Sequence, residues 1–107
     1  MMQESVTEPE LSNAQKKKLR AFGHHLNPLV QIGKEGITPS LVQSSLAALK
    51  SHELIKVKIG QNAPVERHDA AIELAALTAA TLVQQVGKVF LLYRPNPDLP
   101  AEKRITL

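Results

Sequence analysis

The chain has 107 residues, no cysteine and a formal net charge of +3. Its length suits one domain with a single modest core, and the missing thiols exclude disulfides, thiol nucleophiles and thiolate metal sites. No apolar run approaches the roughly 18 residues of a membrane helix, and the start of the chain lacks the pattern of a secretory signal, so the expectation is a cytoplasmic protein.

Residues 1–10 carry Glu4, Glu8 and Glu10 without a Lys or Arg, which leaves all 13 basic residues of the chain against 7 of its 10 acidic ones in the remainder. These ten residues read as a flexible acidic arm. A basic folded part behind such an arm suits a polyanionic partner, and charge kept only for solubility accounts for the composition equally well. Ser12 with Gln15 three residues later makes a capping box that opens a first helix. Leu19, Phe22 and Leu26 follow at helical spacing, Lys16, Lys17, Lys18 and Arg20 occupy other faces, and Gly23 is placed to stop the helix. Leu29 to Ile32, between Pro28 and Gly33, reads as a short buried strand.

Gly33-Lys34-Glu35-Gly36 is a tight loop, and Thr38-Pro39 serves as N-cap and first residue of a second helix that carries Leu41, Val42, Leu46 and Leu49 and ends near Ser51-His52. Leu54 to Ile59 alternates strictly, with Ile55, Val57 and Ile59 on one face and Lys56 and Lys58 on the other. After the turn at Gly60–Pro64, an alanine-rich third helix is expected from about Val65 to Ala80, with Ile72, Leu74 and Leu77 available for the core. Thr81–Val86 and Lys88–Arg94, separated by Gly87, form a tight antiparallel hairpin. The tail after Pro95 is mostly extended, and Arg104-Ile105-Thr106 is placed to add an edge pairing. The order α-β-α-β-α-β-β predicts an α/β sandwich, a mixed sheet of about four strands with three helices. The sequence does not assign the first helix to a sheet face.

The segment with most chemical content is Gly33–Pro39. Two glycines allow a sharp turn and close backbone approach, the loop runs into a helix N-terminus, and Lys34 adds a cation, as in GxxG loops that hold a nucleic-acid backbone. Taken alone, an ordinary strand-to-helix turn explains the pattern better. Lys17 and Arg20 on a basic helix and Lys56 and Lys58 along a strand make several phosphate contacts available. Each of these also has a structural explanation, a solvated helix face for the first group and lysine protection of an edge strand for the second. With one Tyr, two Phe and no Trp, a sheet that stacks bases on aromatics is a poor fit, and backbone and shape readout fits better. Valine at either Gly33 or Gly36 is expected to damage the loop.

Four blocks in order, Leu19–Pro28, Val30–Thr38, His52–Lys58 and Gln85–Pro95, resemble the CRM domain, the chloroplast RNA splicing and ribosome maturation domain. The stand-alone arrangement is similar to the bacterial YhbY proteins, with residues 11–95 as the domain and 96–107 as a tail. The resemblance implies a fold like the C-terminal domain of translation initiation factor three. It also implies binding to RNA, with ribosomal RNA of large-subunit precursors as the partner. It maps the family's GxxG loop onto Gly33–Gly36 and its basic surface onto Arg20, Lys34, Lys56 and Lys58. With Lys17, His24 and Lys88 these complete the candidate RNA contacts. Glu35 departs from what a phosphate loop needs unless its carboxylate faces solvent or pairs with a Lys.

Catalytic readings are weak. Gly33-Lys34-Glu35 is not a Walker A loop, adjacent His24 and His25 are not an i,i+4 ligand pair, and His68-Asp69 reads as surface. No catalytic residue, metal, cofactor, membrane or small-molecule substrate is expected. A protein that uses the same loop for a small phosphorylated ligand, and a protein-interaction module, remain as alternatives.

Overall fold

The first helix starts where its capping box puts it. In a computed structural model, which describes residues 11–107, the Ser12 hydroxyl accepts from the Gln15 amide at 3.1 Å and the Gln15 carboxamide oxygen accepts from the Ser12 amide at 3.0 Å. The arm expected over residues 1–10 lies outside the described residues. The helix, α1, spans Asn13–His24 and runs through Gly23 instead of stopping there. Gly23 is buried, and a Cβ at that position would overlap the Leu91 side chain. Its glycine serves the close approach of α1 to the sheet, a tertiary contact that helix-terminus rules cannot anticipate.

The other elements are β1 Val30–Ile32, α2 Pro39–His52, β2 Leu54–Ile59, α3 Arg67–Leu77, β3 Thr81–Val86 and β4 Val89–Tyr93, followed by a short 3-10 turn at Ala101–Lys103. The four strands make one mixed sheet in the order β1-β2-β4-β3. β1 and β2 are parallel, with Val30 opposite Val57 and Ile32 opposite Ile59, and β4 runs antiparallel to both β2 and β3. The parallel pair is joined by α2, which Thr38 caps by accepting from the Leu41 amide at 3.1 Å and Pro39 initiates. The expected α/β sandwich of three helices and a four-stranded mixed sheet is therefore the observed fold.

Alternation along the strands sorts side chains into two layers. Ile55, Val57 and Ile59 of β2, Phe90 and Leu92 of β4, and Val30 and Ile32 of β1 face α2 and α3 and build the main core with Leu49, Leu74 and three alanines of α3. Burying each large apolar side chain here stabilises the fold by about 1.5–3 kcal/mol before entropy is counted. The opposite face carries Leu54, Leu91, Tyr93 and Val83 under Leu19 of α1, joined by Leu11, Ile105 and Leu107. α1 thus lies alone on the face opposite α2 and α3.

Three expectations are corrected. α3 is shorter than the alanine run, and it packs through Ala70, Ala71, Leu74 and Ala75, while Ile72 and Leu77 are about half exposed, at 50% and 51%. Small residues let this helix sit close to the sheet, and the two larger aliphatics end up outside that contact. β1 is an edge strand with Gln31 and Leu29 exposed, so only Val30 and Ile32 of the apolar run are buried. Arg104-Ile105-Thr106 adds no strand among the described residues. Instead the Glu53 carboxylate, buried at the end of α2, accepts from the amides of Asn96 and Ile105 (2.7 Å to the latter) and from Arg104 Nε at 3.1 Å. Burial raises the Glu53 pKa, but the Asn96 and Ile105 amides and the Arg104 guanidinium outweigh that and hold it below the ordinary carboxylate value.

Candidate nucleic-acid interface

The chain ends of β1 and β2 and the β3–β4 turn meet at one end of the sheet. The Gly60 amide donates to the Ile32 carbonyl at 2.8 Å and the Ile59 amide to the Lys88 carbonyl at 2.7 Å, which ties the three connections together. In the first, the Gly36 amide donates to the Gly33 carbonyl at 3.0 Å and closes a four-residue turn that leaves Lys34 and Glu35 exposed at its tip.

The two glycines of this turn are not equivalent. Gly36 has φ +75° and is buried, and a Cβ there would lie 3.7 Å from Val65 Cγ1. A side chain there is strained by the left-handed backbone. Gly33 is outside that region, is exposed, and its Cβ position meets nothing within 4 Å. Substitution is therefore expected to strain the loop only at position 36. A third glycine, Gly60, has a Cβ position 2.9 Å from the Ile32 carbonyl oxygen, and so belongs to the strand-end packing. Sequence reading did not single it out, because the constraint comes from a neighbouring strand.

Lys56 and Lys58 stand on β2, an interior strand of the sheet. Protection of a sheet edge therefore does not explain them. They share the α1 side of the sheet with Val89 and Leu91 across the strand pair and with Gln31 on β1. α1 covers only part of this side. Successive residues turn by about 100° on a helix, so Lys17, Arg20 and His24 form one stripe, on the flank of α1 opposite to Phe22 and Leu26. Arg20 and His24 look across a cleft at Lys56 and Gln84. The cleft measures about 320 Å³, and Gly23, Val86, Val89, Phe90 and Leu91 complete its lining. The His24 and His25 rings form a T-shaped pair with centroids 5.2 Å apart. Lys17 lies two turns further up the same stripe, and Lys88 is exposed on the hairpin turn.

The candidate residues therefore fall into two neighbouring groups. Arg20, His24 and Lys56 line the cleft. Gly33, Lys34, Glu35, Gly36 and Lys88 lie at the strand ends, with Lys58 between the groups on β2. Gln84 and the two valines of the cleft were not singled out in the sequence, because their meeting with Arg20 and His24 depends on where α1 lies over the hairpin.

Among the described residues the one ion pair is Arg104 with Glu53. Among the described residues no carboxylate pairs with Lys17, Arg20, Lys34, Lys56, Lys58 or Lys88, and Glu35 pairs with no Lys. Of the other carboxylates, Asp69 and Glu73 belong to α3 on the opposite layer and Asp98 and Glu102 to the C-terminal segment, while Glu66, the N-cap of α3, shares a surface pocket with Lys88 without pairing with it. Within α1, Lys16 and Arg20 are an i,i+4 pair of like charge, which costs a few tenths of a kcal/mol. The helix holds its cations against local electrostatics. The described residues contain no group of three or more His, Asp or Glu able to hold a metal, and no helix long and apolar enough to cross a membrane.

Known proteins share both the sequence and the fold. The chain is 39% identical over 87 residues to the probable RNA-binding protein PA4753 of Pseudomonas aeruginosa, a match that spans 81% of this chain and 84% of that protein. It is 35% identical over 88 residues to the probable RNA-binding protein YqeI of Bacillus subtilis, across 82% of this chain and 92% of the relative. The solution structure of the hypothetical protein SAV1595 from Staphylococcus aureus superposes with a TM-score of 0.72 at 32% identity, covering 91% of this chain and all of that one. A family model for the CRS1/YhbY (CRM) domain matches residues 11–94, and the chain belongs to that family.

Proposed function

We propose that this chain is a cytoplasmic RNA-binding protein that acts in ribosome assembly. It contacts ribosomal RNA of large-subunit precursors through the Gly33–Gly36 loop and the cationic face of α1 and the sheet, and it catalyses no reaction. One observation carries this reading: six Lys and Arg side chains, on the α1 side of the sheet and at the adjoining strand ends of a CRM domain, have no carboxylate partner among the described residues. The relatives named as RNA-binding proteins support the choice of partner.

The mode of binding follows from the same face. Phe90 and Tyr93 are buried, and Phe22 stands on the other flank of α1. No aromatic platform is offered to a run of bases, so phosphate contacts and shape dominate. If all six cations meet phosphates, the logarithm of affinity falls with the logarithm of salt with a slope of about −4.2 to −5.4. Affinity then drops by about 300- to 2,000-fold between 50 and 200 mM salt. Fluorescence anisotropy with a structured ribosomal RNA fragment tests this, and a slope near zero refutes it. Sedimentation of a lysate tests the assembly role: the protein is expected to comigrate with large-subunit precursors and to leave them on ribonuclease or high-salt treatment.

A further inference from the structure

We infer that the cleft between α1 and the β3–β4 half of the sheet takes one unpaired nucleobase of the bound RNA. The protein thereby selects RNA with a bulged or single-stranded nucleotide at this point. This rests on the RNA-binding reading above and adds a site to it that phosphate contacts do not require.

The size of the cleft comes first. At about 320 Å³ it lies at the lower end of the roughly 300–1,000 Å³ range of small-molecule sites. It is larger than a phosphate group needs and too small to admit a base pair.

The lining has the division that a base demands. Gly23, Val86, Val89 and Leu91 give an apolar floor, and Val86 is 64% exposed although it sits beside Lys56 and Arg20. An open valine in a cationic surface offers nothing to a phosphate, whereas it can lie against the face of a base. The rim carries Arg20 and His24, planar cationic or ionisable groups that stack on bases.

Gln84 is the most selective feature. The bulge between Leu82 and Gln84 lets the adjacent Val83 stay buried in the core under α1, and the hairpin register sets Gln84 opposite Leu91, where it lines the cleft. Its neighbour Gln85 is used internally, donating from Nε2 to the Gly87 carbonyl at 2.6 Å. The Gln84 carboxamide has no hydrogen-bond partner among the described residues. It therefore keeps two donors and an acceptor free, a mixed set that matches a base edge and is half wasted on an anion.

The test compares two hairpin RNAs of equal length, one fully paired and one with a single 2-aminopurine bulge, bound by wild-type protein and by Gln84→Leu. The bulged hairpin is expected to bind roughly tenfold more tightly, with a change in 2-aminopurine fluorescence on binding. Gln84→Leu is expected to lose that preference and fluorescence change, with its affinity for the paired hairpin and its salt slope unchanged. Equal binding of both hairpins by the wild type, with a steep salt slope, overturns the base site and leaves the RNA-binding reading standing. Binding of neither hairpin overturns both. An unaltered bulge preference in Gln84→Leu also overturns the proposal, since the carboxamide is the group assigned to the base edge.

Discussion

Alanine at Gly33 and alanine at Gly36 separate the geometry of the loop from its use. At Gly36 the backbone has φ +75°, where an L-residue costs about 1–2 kcal/mol. The nearest atom to the new Cβ, Val65 Cγ1 at 3.7 Å, is at ordinary contact, so backbone strain is the whole cost. For a domain of this size that lowers the melting temperature by roughly 5–10 °C. At Gly33 the Cβ meets nothing within 4 Å and the backbone is not left-handed. Reduced freedom of the unfolded chain then leaves stability unchanged or raises it by up to about 1 kcal/mol. The methyl group nevertheless occupies the exposed side of the loop where a phosphodiester is expected to approach. Thermal unfolding followed by circular dichroism, paired with RNA anisotropy, reads both effects. Gly36→Ala is expected to lose stability, and Gly33→Ala to keep stability and lose RNA affinity. Wild-type affinity in Gly33→Ala refutes the idea that this glycine serves ligand approach, and an equal loss of stability in both refutes the geometric account of the turn.

Lys34→Gln and Lys56→Gln are each expected to make the salt dependence of RNA binding shallower by about 0.7–0.9 in slope, measured by anisotropy between 50 and 300 mM salt. Leu74→Ala is expected to cost about 2–5 kcal/mol, and Ile72→Ser, on the exposed side of the same helix, no more than about 0.5 kcal/mol, both read by urea unfolding. Glu53 gives a pH signature. Its pKa in the fold is held below the ordinary 4.5, so its contribution is complete above that value and is lost as pH falls through the lower, folded value. Wild-type melting temperature is therefore expected to fall more steeply than that of Glu53→Gln as pH is lowered from 6 toward 3. At neutral pH the variant is expected to be less stable by about 1–3 kcal/mol, because the Asn96 and Ile105 amides lose an ionised acceptor.

Features written in local sequence were legible. The capping box at Ser12, the Thr38-Pro39 start of α2, the alternation from Ile55 to Ile59 and the hairpin around Gly87 each depend on residues a few positions apart. Features that depend on which strand lies next to which were not. Lys56 and Lys58 alternate identically on an edge or an interior strand, and the order β1-β2-β4-β3 decides between the two. Gly23 reads as a helix stop until Leu91 is seen beneath it. The alanines of α3 are legible as helix formers that allow close packing on the sheet, but local sequence does not say that this face leaves Ile72 and Leu77 outside. Glu53 follows His52 without any local mark. Its partners are 43, 51 and 52 residues away, so no pattern near it could announce a buried carboxylate.

The placement of α1 links these tertiary features to the interface. One face of the sheet has to support a helix and also remain open to a ligand, and the chain solves this by covering only part of it. Leu19, Leu54, Val83, Leu91 and Tyr93 form the small core beneath α1, and Gly23 lets the helix settle onto Leu91. The C-terminal segment closes that core at one end. Glu53 holds the amides of Asn96 and Ile105, and Ile105 and Leu107 pack against the cluster. Because α1 is seated in this way, Arg20 and His24 face the uncovered strands at the level of Lys56 and Gln84. Loosening the C-terminal segment should then weaken RNA binding without touching a cation of the face. Glu53→Gln tests this coupling at a temperature where it remains folded: unchanged RNA affinity would mean that the seat of α1 does not depend on the tail, and reduced affinity with an unchanged salt slope would mean that it does.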